Sequence, residues 1–175
     1  EQEAVAPATA EAVDLGLSVK WASWNVGASA PEEFGGRYGW ADPTGEKRTT
    51  ELDDYPSATP PENICGTEYD IARAQWGDGW RLPSQAEFQE LVDNCTWEWT
   101  EMNGVTGRRA TATNGNSIFF PAAASRDGET VSNQVGQRGC YWSGTLYPGN
   151  DARCAYYFYF YEGNQQPTRN NRRYM

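Results

Sequence analysis

A run of aromatic residues near the end of the chain constrains the fold more than any other feature. Six of the seven residues in 155–161 are Tyr or Phe. Successive side chains of a β-strand point to opposite faces, so one face carries Tyr156, Phe158 and Phe160 and the other carries Tyr157, Tyr159 and Tyr161. A small domain can bury both faces only if a second layer covers the sheet.

The side chains on the two faces of that strand differ in their tendency to be exposed to solvent. Phenylalanine prefers burial, whereas tyrosine joins an apolar ring to a polar hydroxyl. We expect the all-tyrosine face to lie in solvent, as a patch like those of antibody paratopes, and Tyr157 or Tyr159 to tolerate alanine within about 0.5 kcal/mol. The alternative is that the Pro-rich segment 41–63 covers these tyrosines and hydrogen-bonds to their hydroxyls; alanine there would then destabilise the fold.

Two stretches carry helix-start signals. Ser84-Gln-Ala-Glu87 is a complete capping box, and apolar residues follow it at helical spacing as far as Cys95. Thr67-Glu-Tyr-Asp70 has a similar form and precedes residues 71–76, which Gly77 would end. The sequence predicts a helix after each signal.

Several β-prone runs follow the helices. Asn-Gly turns at 103–104 and 114–115 separate three of these runs, which predicts a three-stranded antiparallel meander. Further strands are predicted at 15–21, 37–40, 140–143 and 155–161. Two helices and about seven strands without βαβ alternation indicate an α+β fold. We expect residues 1–12 to form a flexible leader and residues 13–175 to form one domain.

Charge and composition exclude several functions. The chain has 14 Lys and Arg against 24 Asp and Glu, a net charge of −10, and it has no histidine. An acidic protein does not attract a phosphate backbone, so nucleic acid is not an expected partner. The absence of histidine removes His-based triads, His metal sites and imidazole bases. No stretch reaches the roughly 20 apolar residues that cross a bilayer. We expect no catalytic residues and no cofactor.

Four segments together resemble a known family: Val13–Ala22, Gly79–Phe88, Asp93–Trp97 and Tyr141–Thr145. They resemble the major paralogous domain of Bacteroidetes and Fibrobacter surface proteins, a branch of the C-type lectin-like fold shared with the formylglycine-generating enzymes. The resemblance implies an α+β, C-type lectin-like fold with two helices packed on antiparallel sheets and with long loops. It also implies a secreted or cell-surface location, as an outer-membrane lipoprotein whose lipid anchor lies outside this sequence. Because the sequence ends at Met175, the closing strand of the family is expected either to be missing or to lie outside this sequence.

Residues 141–174 resemble a second group, the variable regions of proteins that retroelements diversify by mutating adenines. That resemblance implies fixed core positions interspersed with surface Tyr, Asn, Ser, Asp and Arg. The turn before residue 154 and a polar loop at 164–173 are expected to ring the tyrosine face. The predicted ligand-binding residues are Tyr147, Asn150, Asp151, Arg153, Tyr157, Tyr159, Tyr161, Asn164, Gln166, Arg169, Asn170 and Arg172.

These observations predict a non-enzymatic surface domain that binds a protein or glycan on another cell or phage. One alternative is a purely structural surface or fimbrial subunit. Another is a copper oxidase of the formylglycine-generating type, which would hold copper through two cysteines. Cys140 and Cys154 are further apart in sequence than the close pair of that family. If the turn between them is centred near Tyr147, they face each other, which favours a disulfide.

Calcium-dependent sugar binding is not expected. Lectins of the fold that this chain resembles hold Ca²⁺ through Glu-Pro-Asn or Gln-Pro-Asp and Trp-Asn-Asp triplets. Here Gln166-Pro167-Thr168 lacks the final carboxylate or amide, and Gly149-Asn150-Asp151 lacks the Trp. Calcium needs six to eight converging oxygens. No residue of this chain is therefore predicted to ligate a metal.

Overall fold

The computed structural model describes residues 9–48, 60–149 and 153–172, without the side chains of Asn170 and Asn171. These residues form a mixed α and β structure with two helices and mostly antiparallel sheets. The elements are β1 Ala12–Val13, β2 Trp21–Ala22, α1 Ile71–Trp76, α2 Gln85–Asn94, β3 Thr96–Met102, β4 Val105–Thr111, β5 Ser117–Pro121, β6 Arg126–Asp127, β7 Thr130–Val131, β8 Arg138–Leu146, β9 Cys154–Tyr161 and β10 Asn164–Asn171. Neither helix in these ranges is long and apolar enough to cross a membrane.

Helix α2 begins at the predicted capping box. The Ser84 hydroxyl accepts a hydrogen bond from the Glu87 amide at 3.1 Å, and the Glu87 carboxylate accepts one from the Ser84 amide at 2.8 Å. Arg81 then donates to both oxygens of the same carboxylate, at 2.9 and 2.5 Å. The hydrogen bonds from Arg81 are the main reason that the pKa of Glu87 lies below its ordinary value.

Helix α1, Ile71–Trp76, follows its sequence signal and ends at Gly77, as predicted. Its N-cap is Asp70, whose carboxylate accepts from the amides of Ala72 and Arg73. The second oxygen of Asp70 accepts from the amides of Gly66 and Leu82. This fully buried carboxylate therefore ties the chain on both sides of α1 together, and Thr67 is not the cap.

The predicted meander is confirmed. Strands β3, β4 and β5 form an antiparallel sheet in that order, and the two Asn-Gly pairs occupy the connections. Gly107 in β4 allows the close approach of β5, because a Cβ at that position would lie 2.1 Å from the Phe120 carbonyl oxygen.

The first two predicted strands are mostly wrong. Within 15–21 only Trp21 is in a strand, where it pairs with Val13 in a two-residue ladder. Residues 37–40 form no strand. Trp40 is nevertheless almost completely buried, and its indole nitrogen donates to the Ser143 carbonyl at 2.8 Å. Aromatic content therefore indicated burial there, but not strand pairing.

A second three-stranded sheet has the order β10-β9-β8. Strand β8 extends beyond the predicted 140–143, and β10 replaces the polar loop that was predicted at 164–173. That prediction is wrong because Asn, Gln and Pro lack strand propensity, whereas the neighbouring ring-rich strand provides a template for pairing. Pro167 is compatible with β10 because this strand is an edge of the sheet.

The β10-β9-β8 sheet separates two apolar clusters. On its inner face, Phe158 and Phe160 pack with Phe88 and Leu91 of α2 and with Phe120 of the meander. A smaller cluster on the other face includes Trp40, Ile64, Trp142 and Ala155. Apolar residues thus pack against both sides of the sheet, but the smaller cluster lies toward the β9 end that starts at Cys154.

Candidate functional site

The side-chain alternation predicted for residues 155–161 is confirmed. Phe158 and Phe160 are completely buried on the inner face, whereas Tyr157 and Tyr159 are half-buried and Tyr161 is exposed. In the register of the sheet, Tyr157 lies opposite Trp142 of β8, and Tyr159 lies opposite Cys140. We call the side of the sheet that carries these tyrosines the outer face.

Tyr157, Tyr159 and Tyr161 form a continuous row of rings, which we call the tyrosine ladder. The ring centroids of Tyr157 and Tyr159 are 5.9 Å apart, and those of Tyr159 and Tyr161 are 6.0 Å apart. Trp142 meets the buried end of the row, edge to face with Tyr157 at 5.8 Å. Tyr157 and Tyr159 are half-buried, whereas Tyr161, at the other end of the row, is 44% exposed. The ladder therefore leads from the smaller apolar cluster to open surface.

Both ends of the ladder are anchored. At the inner end, the buried Trp142 indole donates to the Tyr38 carbonyl at 3.2 Å. At the outer end, the Arg108 guanidinium donates to the carbonyls of Tyr161 and Glu162 at 3.0 and 2.6 Å. Burial lowers the pKa of Arg108, but the carbonyl dipoles satisfy its donors. Hydrogen bonds therefore hold the ring that contacts the inner end of the ladder and the backbone at its outer end.

The surroundings of the three tyrosines differ in polarity. Burial raises the pKa of the Tyr157 hydroxyl above its ordinary value. On β10, the exposed Gln166 and Asn164 lie opposite Tyr159 and Tyr161, respectively. On β8, the half-buried Arg138 lies opposite Tyr161 from the other side. The outer half of the ladder thus combines apolar rings with amide and guanidinium groups.

Two predicted site residues lie away from the ladder. Arg169 pairs with Tyr156 in the register, so both belong to the inner-face side of the sheet. The Arg169 guanidinium carbon lies 4.4 Å from the ring centroid of Tyr147, which in turn contacts Tyr156 at 5.5 Å. Tyr147 and Arg169 therefore form a separate cation–π cluster and do not ring the tyrosine ladder.

Arg172 is also not a surface residue. Its side chain is 2% exposed, and its guanidinium carbon lies 5.7 Å from the Trp40 ring centroid. Its backbone donates to the Arg153 carbonyl and accepts from the Trp40 amide. The prediction that Arg172 lies in solvent is wrong because the preceding residues 164–171 form a strand and not a loop. Its role is to pack the smaller apolar cluster.

The remaining predicted residues are distributed as follows. Arg153 is exposed just before β9. Asn150 and Asp151 lie outside the described residues, as does the side chain of Asn170, whose backbone pairs with Ala155. The structure therefore brings together Tyr157, Tyr159, Tyr161, Asn164 and Gln166.

The predicted disulfide between Cys140 and Cys154 is wrong, and no disulfide joins any two of the four cysteines, all of which lie in the described residues. Cys140 lies opposite Tyr159, and Cys154 precedes Tyr159 by five positions, which is about 16 Å along a strand. An odd spacing also places the two sulfurs on opposite faces. The error arose from the turn, because the last ladder pair is Leu146–Ala155 and the connection is centred near residue 150. A copper ion bound by both Cys140 and Cys154 would need the two sulfurs close together, and the strand register keeps them apart.

We expect the thiols of Cys65 and Cys140 to react slowly in the native protein. Burial raises the pKa of both Cys65 and Cys140 to about 11. Since the thiolate is the reactive form, a thiol reagent at pH 8 should react slowly at these two positions and should titrate four thiols after denaturation. Because the folded pKa is raised, these thiols stabilise the fold fully below about pH 9 and lose that contribution as the pH rises toward 11. If the denatured protein titrated with two thiols or fewer, at least one disulfide would be present, and the structure would be contradicted.

Alanine scanning along the ladder should give graded losses of stability. Tyr157→Ala removes a half-buried ring that contacts Trp142, and we expect it to lower the free energy of unfolding by about 2 kcal/mol. Tyr161→Ala should change it by no more than about 0.5 kcal/mol. Urea denaturation measures both values. Equal and large losses at Tyr157 and Tyr161 would show that a layer covers the whole ladder.

Two residues of the site, Arg138 and Arg108, escaped prediction from the sequence. Arg138 was missed because β8 was predicted too short. Arg108 gives no local signal, since its carbonyl partners are 53 and 54 residues away in the chain. Continuing the two-residue alternation of β8 through 138–146 is the step that could have indicated Arg138.

Searches for similar proteins found no matching family model, no matching curated protein and no matching solved structure.

Proposed function

We propose that this protein is a non-enzymatic domain that binds a protein or glycan ligand through the outer half of the tyrosine ladder. The observation that carries the proposal is a row of mutually contacting tyrosines whose exposure rises toward an end flanked by amide side chains. The proposal includes a C-type lectin-like fold, a secreted or cell-surface location and a ligand on another cell or phage. Diversification of residues 141–175 by a retroelement is part of the same proposal.

The chemistry of the ladder suits recognition. A tyrosine has only two side-chain torsions, so it contributes a large contact area at a small cost in entropy. Here contact with neighbouring rings restricts Tyr159 before any ligand binds. Gln166 and Asn164 offer both donors and acceptors, which can pair with sugar hydroxyls or with a peptide backbone. Rigid rings beside adaptable amides are the combination that antibody binding sites use.

The electrostatics narrow the class of ligand. The chain carries a net charge of −10, which disfavours strongly acidic ligands such as nucleic acids. Aromatic rings that present their faces favour ligands with apolar patches, such as the CH-rich face of a sugar ring or an aliphatic side chain. A neutral glycan or a neutral to basic protein surface fits these properties.

A binding screen tests the proposal. The purified protein is applied to an array of neutral and acidic glycans and to an array of bacterial and phage surface proteins, beside the Tyr159→Ala variant. The proposal expects at least one ligand that the wild type binds and the variant does not. Binding that is equal for both proteins contradicts the proposal, as does the absence of any ligand. The second result favours a purely structural subunit.

A further inference from the structure

Arg138 is a cation on the outer face whose charge no described carboxylate neutralises. No ion pair and no side-chain hydrogen bond joins its guanidinium to any residue that the structure describes. Its Nε atom is buried without a partner, whereas the two terminal nitrogens, which also have no partner there, are not buried. The end of the guanidinium is therefore open to an anion from outside the chain.

The Arg138 guanidinium lies close to the tyrosine ladder. Arg138 is opposite Tyr161 in the register of the sheet and shares the outer face with Cys140. Burial raises the pKa of both Cys140 and Tyr157, and the positive charge of Arg138 opposes that rise at both groups. Because the effect of a charge weakens with distance, the guanidinium lies near both groups. Its open end is therefore part of the surface that the ladder forms.

The outer face around the ladder carries no carboxylate at its described register positions. Nine positions in three strands make up this region, and Arg138 is the one that is charged at neutral pH. They are Arg138, Cys140 and Trp142 of β8, Tyr157, Tyr159 and Tyr161 of β9, and Asn164, Gln166 and Thr168 of β10. Glu162 is close in sequence but belongs to the turn between β9 and β10. Since charges act over about 8 Å at physiological salt, carboxylates on other faces are largely screened from an anion at Arg138.

On the other side of the ladder, β10 contributes amide groups. Asn164 is opposite Tyr161, and Gln166 is opposite Tyr159. Both amides are exposed, and neither hydrogen-bonds to a described residue. Neighbouring strands lie about 4.8 Å apart, so the row from Arg138 across Tyr161 to Asn164 is roughly 10 Å wide. A cation, an aromatic ring and an amide thus lie in one row whose width is comparable with the length of a disaccharide.

The chemistry of this row favours an acidic sugar over an acidic peptide. The two terminal nitrogens of a guanidinium match the two oxygens of a carboxylate. A uronic acid carries its carboxylate directly on the sugar ring, so its charge can meet Arg138 while its CH face lies on Tyr161. Its hydroxyls can then pair with the Asn164 amide. A glutamate or aspartate side chain offers the same charge on a flexible chain and has no ring to lie on Tyr161.

We infer that the ligand of the tyrosine ladder is a glycan that is neutral except for one carboxylate on a sugar ring, and that Arg138 binds this carboxylate. The inference rests on the proposed function and names the class of glycan. The net charge of −10 on the chain disfavours a polymer of acidic sugars. A single carboxylate meets the open guanidinium instead.

Calorimetric titration with a matched pair of trisaccharides tests the inference. One has a glucuronate joined to a neutral disaccharide, and the other has glucose in place of the glucuronate. At physiological salt we expect the acidic trisaccharide to bind roughly tenfold more tightly or better. Equal affinities, or no binding of the acidic trisaccharide, overturn the inference. A glutamate-containing peptide is the third probe, and if it binds as tightly as the acidic trisaccharide, the assignment to a sugar is overturned.

Matched arginine variants locate the carboxylate. Arg138→Gln removes the charge from the outer face, and we expect it to weaken binding of the acidic trisaccharide about tenfold and to leave the neutral one unchanged. Arg109→Gln is the control, because Arg109 is also half-buried but lies in the meander and pairs with Glu98 at 3.6 Å. It lowers the net charge equally and should leave both affinities unchanged. Equal losses in the two variants would contradict the role of Arg138.

The Tyr159→Ala variant separates this inference from the proposed function. We expect both Tyr159→Ala and Arg138→Gln to lose affinity for the acidic trisaccharide. If a ligand from the binding screen depends on Tyr159 but not on Arg138, the inference fails and the proposed function stands. If no ligand depends on Tyr159, both fail.

Discussion

Tyr159→Ala is expected to weaken ligand binding at least 30-fold, which corresponds to about 2 kcal/mol. Tyr159 lies at the centre of the tyrosine ladder and contacts a ring on each side. It is half-buried, so its orientation is fixed before binding while part of the ring remains available. Central, preorganised aromatic residues are the usual hot spots of recognition surfaces. The affinity for a ligand from the binding screen measures this effect.

Tyr147→Ala provides the matched control for that measurement. Tyr147 is also half-buried and also contacts another tyrosine, but it lies with Arg169 on the inner-face side of the sheet. We expect this variant to bind the ligand within a factor of two of the wild type. A loss as large as that of Tyr159→Ala would show that the ligand spans both clusters or that the effect is a general loss of folding.

Phe158→Ala is expected to lower the free energy of unfolding by about 3–5 kcal/mol. Phe158 is completely buried and stacks on Phe88 of α2, with ring centroids 5.2 Å apart and planes 15° apart. It also contacts Trp97 and Phe120 of the meander at 5.3 Å each. Alanine would leave a cavity where three elements meet. Thermal or urea denaturation measures the loss.

A conservative variant separates packing from other effects at this position. Phe158→Leu retains most of the apolar volume, and we expect a smaller loss, about 1.5 kcal/mol or less if the site repacks. If Phe158→Ala cost less than about 1 kcal/mol, residue 158 would not lie in the core. The assignment of the two strand faces would then be reversed.

The parts of the fold that follow from short-range rules could be predicted from the sequence. The capping box at Ser84 acts within four residues, and each Asn-Gly turn acts within two. The alternation of Phe158 and Phe160 with the tyrosines depends only on the geometry of one strand. These features require no knowledge of what lies across the sheet.

The parts that were missed depend on contacts between distant segments. Strand β10 forms because β9 offers unpaired backbone groups, and no residue of the sequence Asn164-Gln-Gln-Pro-Thr168 signals this. Arg172 is buried against the ring of Trp40, which lies 132 positions earlier in the chain (172 − 40). The separation of Cys140 from Cys154 depends on the length of one turn. An error of about three residues in the centre of that turn was enough to predict a disulfide.

Tyrosine-selective labelling of the free protein, read at each residue by mass spectrometry, tests most directly whether the ladder is open surface. Tyr161 is predicted to be labelled faster than Tyr159 and Tyr157, because Tyr161 is exposed whereas the other two are half-buried. Tyr141, whose hydroxyl is bonded to Pro121, should remain unlabelled and serves as the internal reference. Protection of Tyr159 and Tyr161 to the level of Tyr141 would contradict the account.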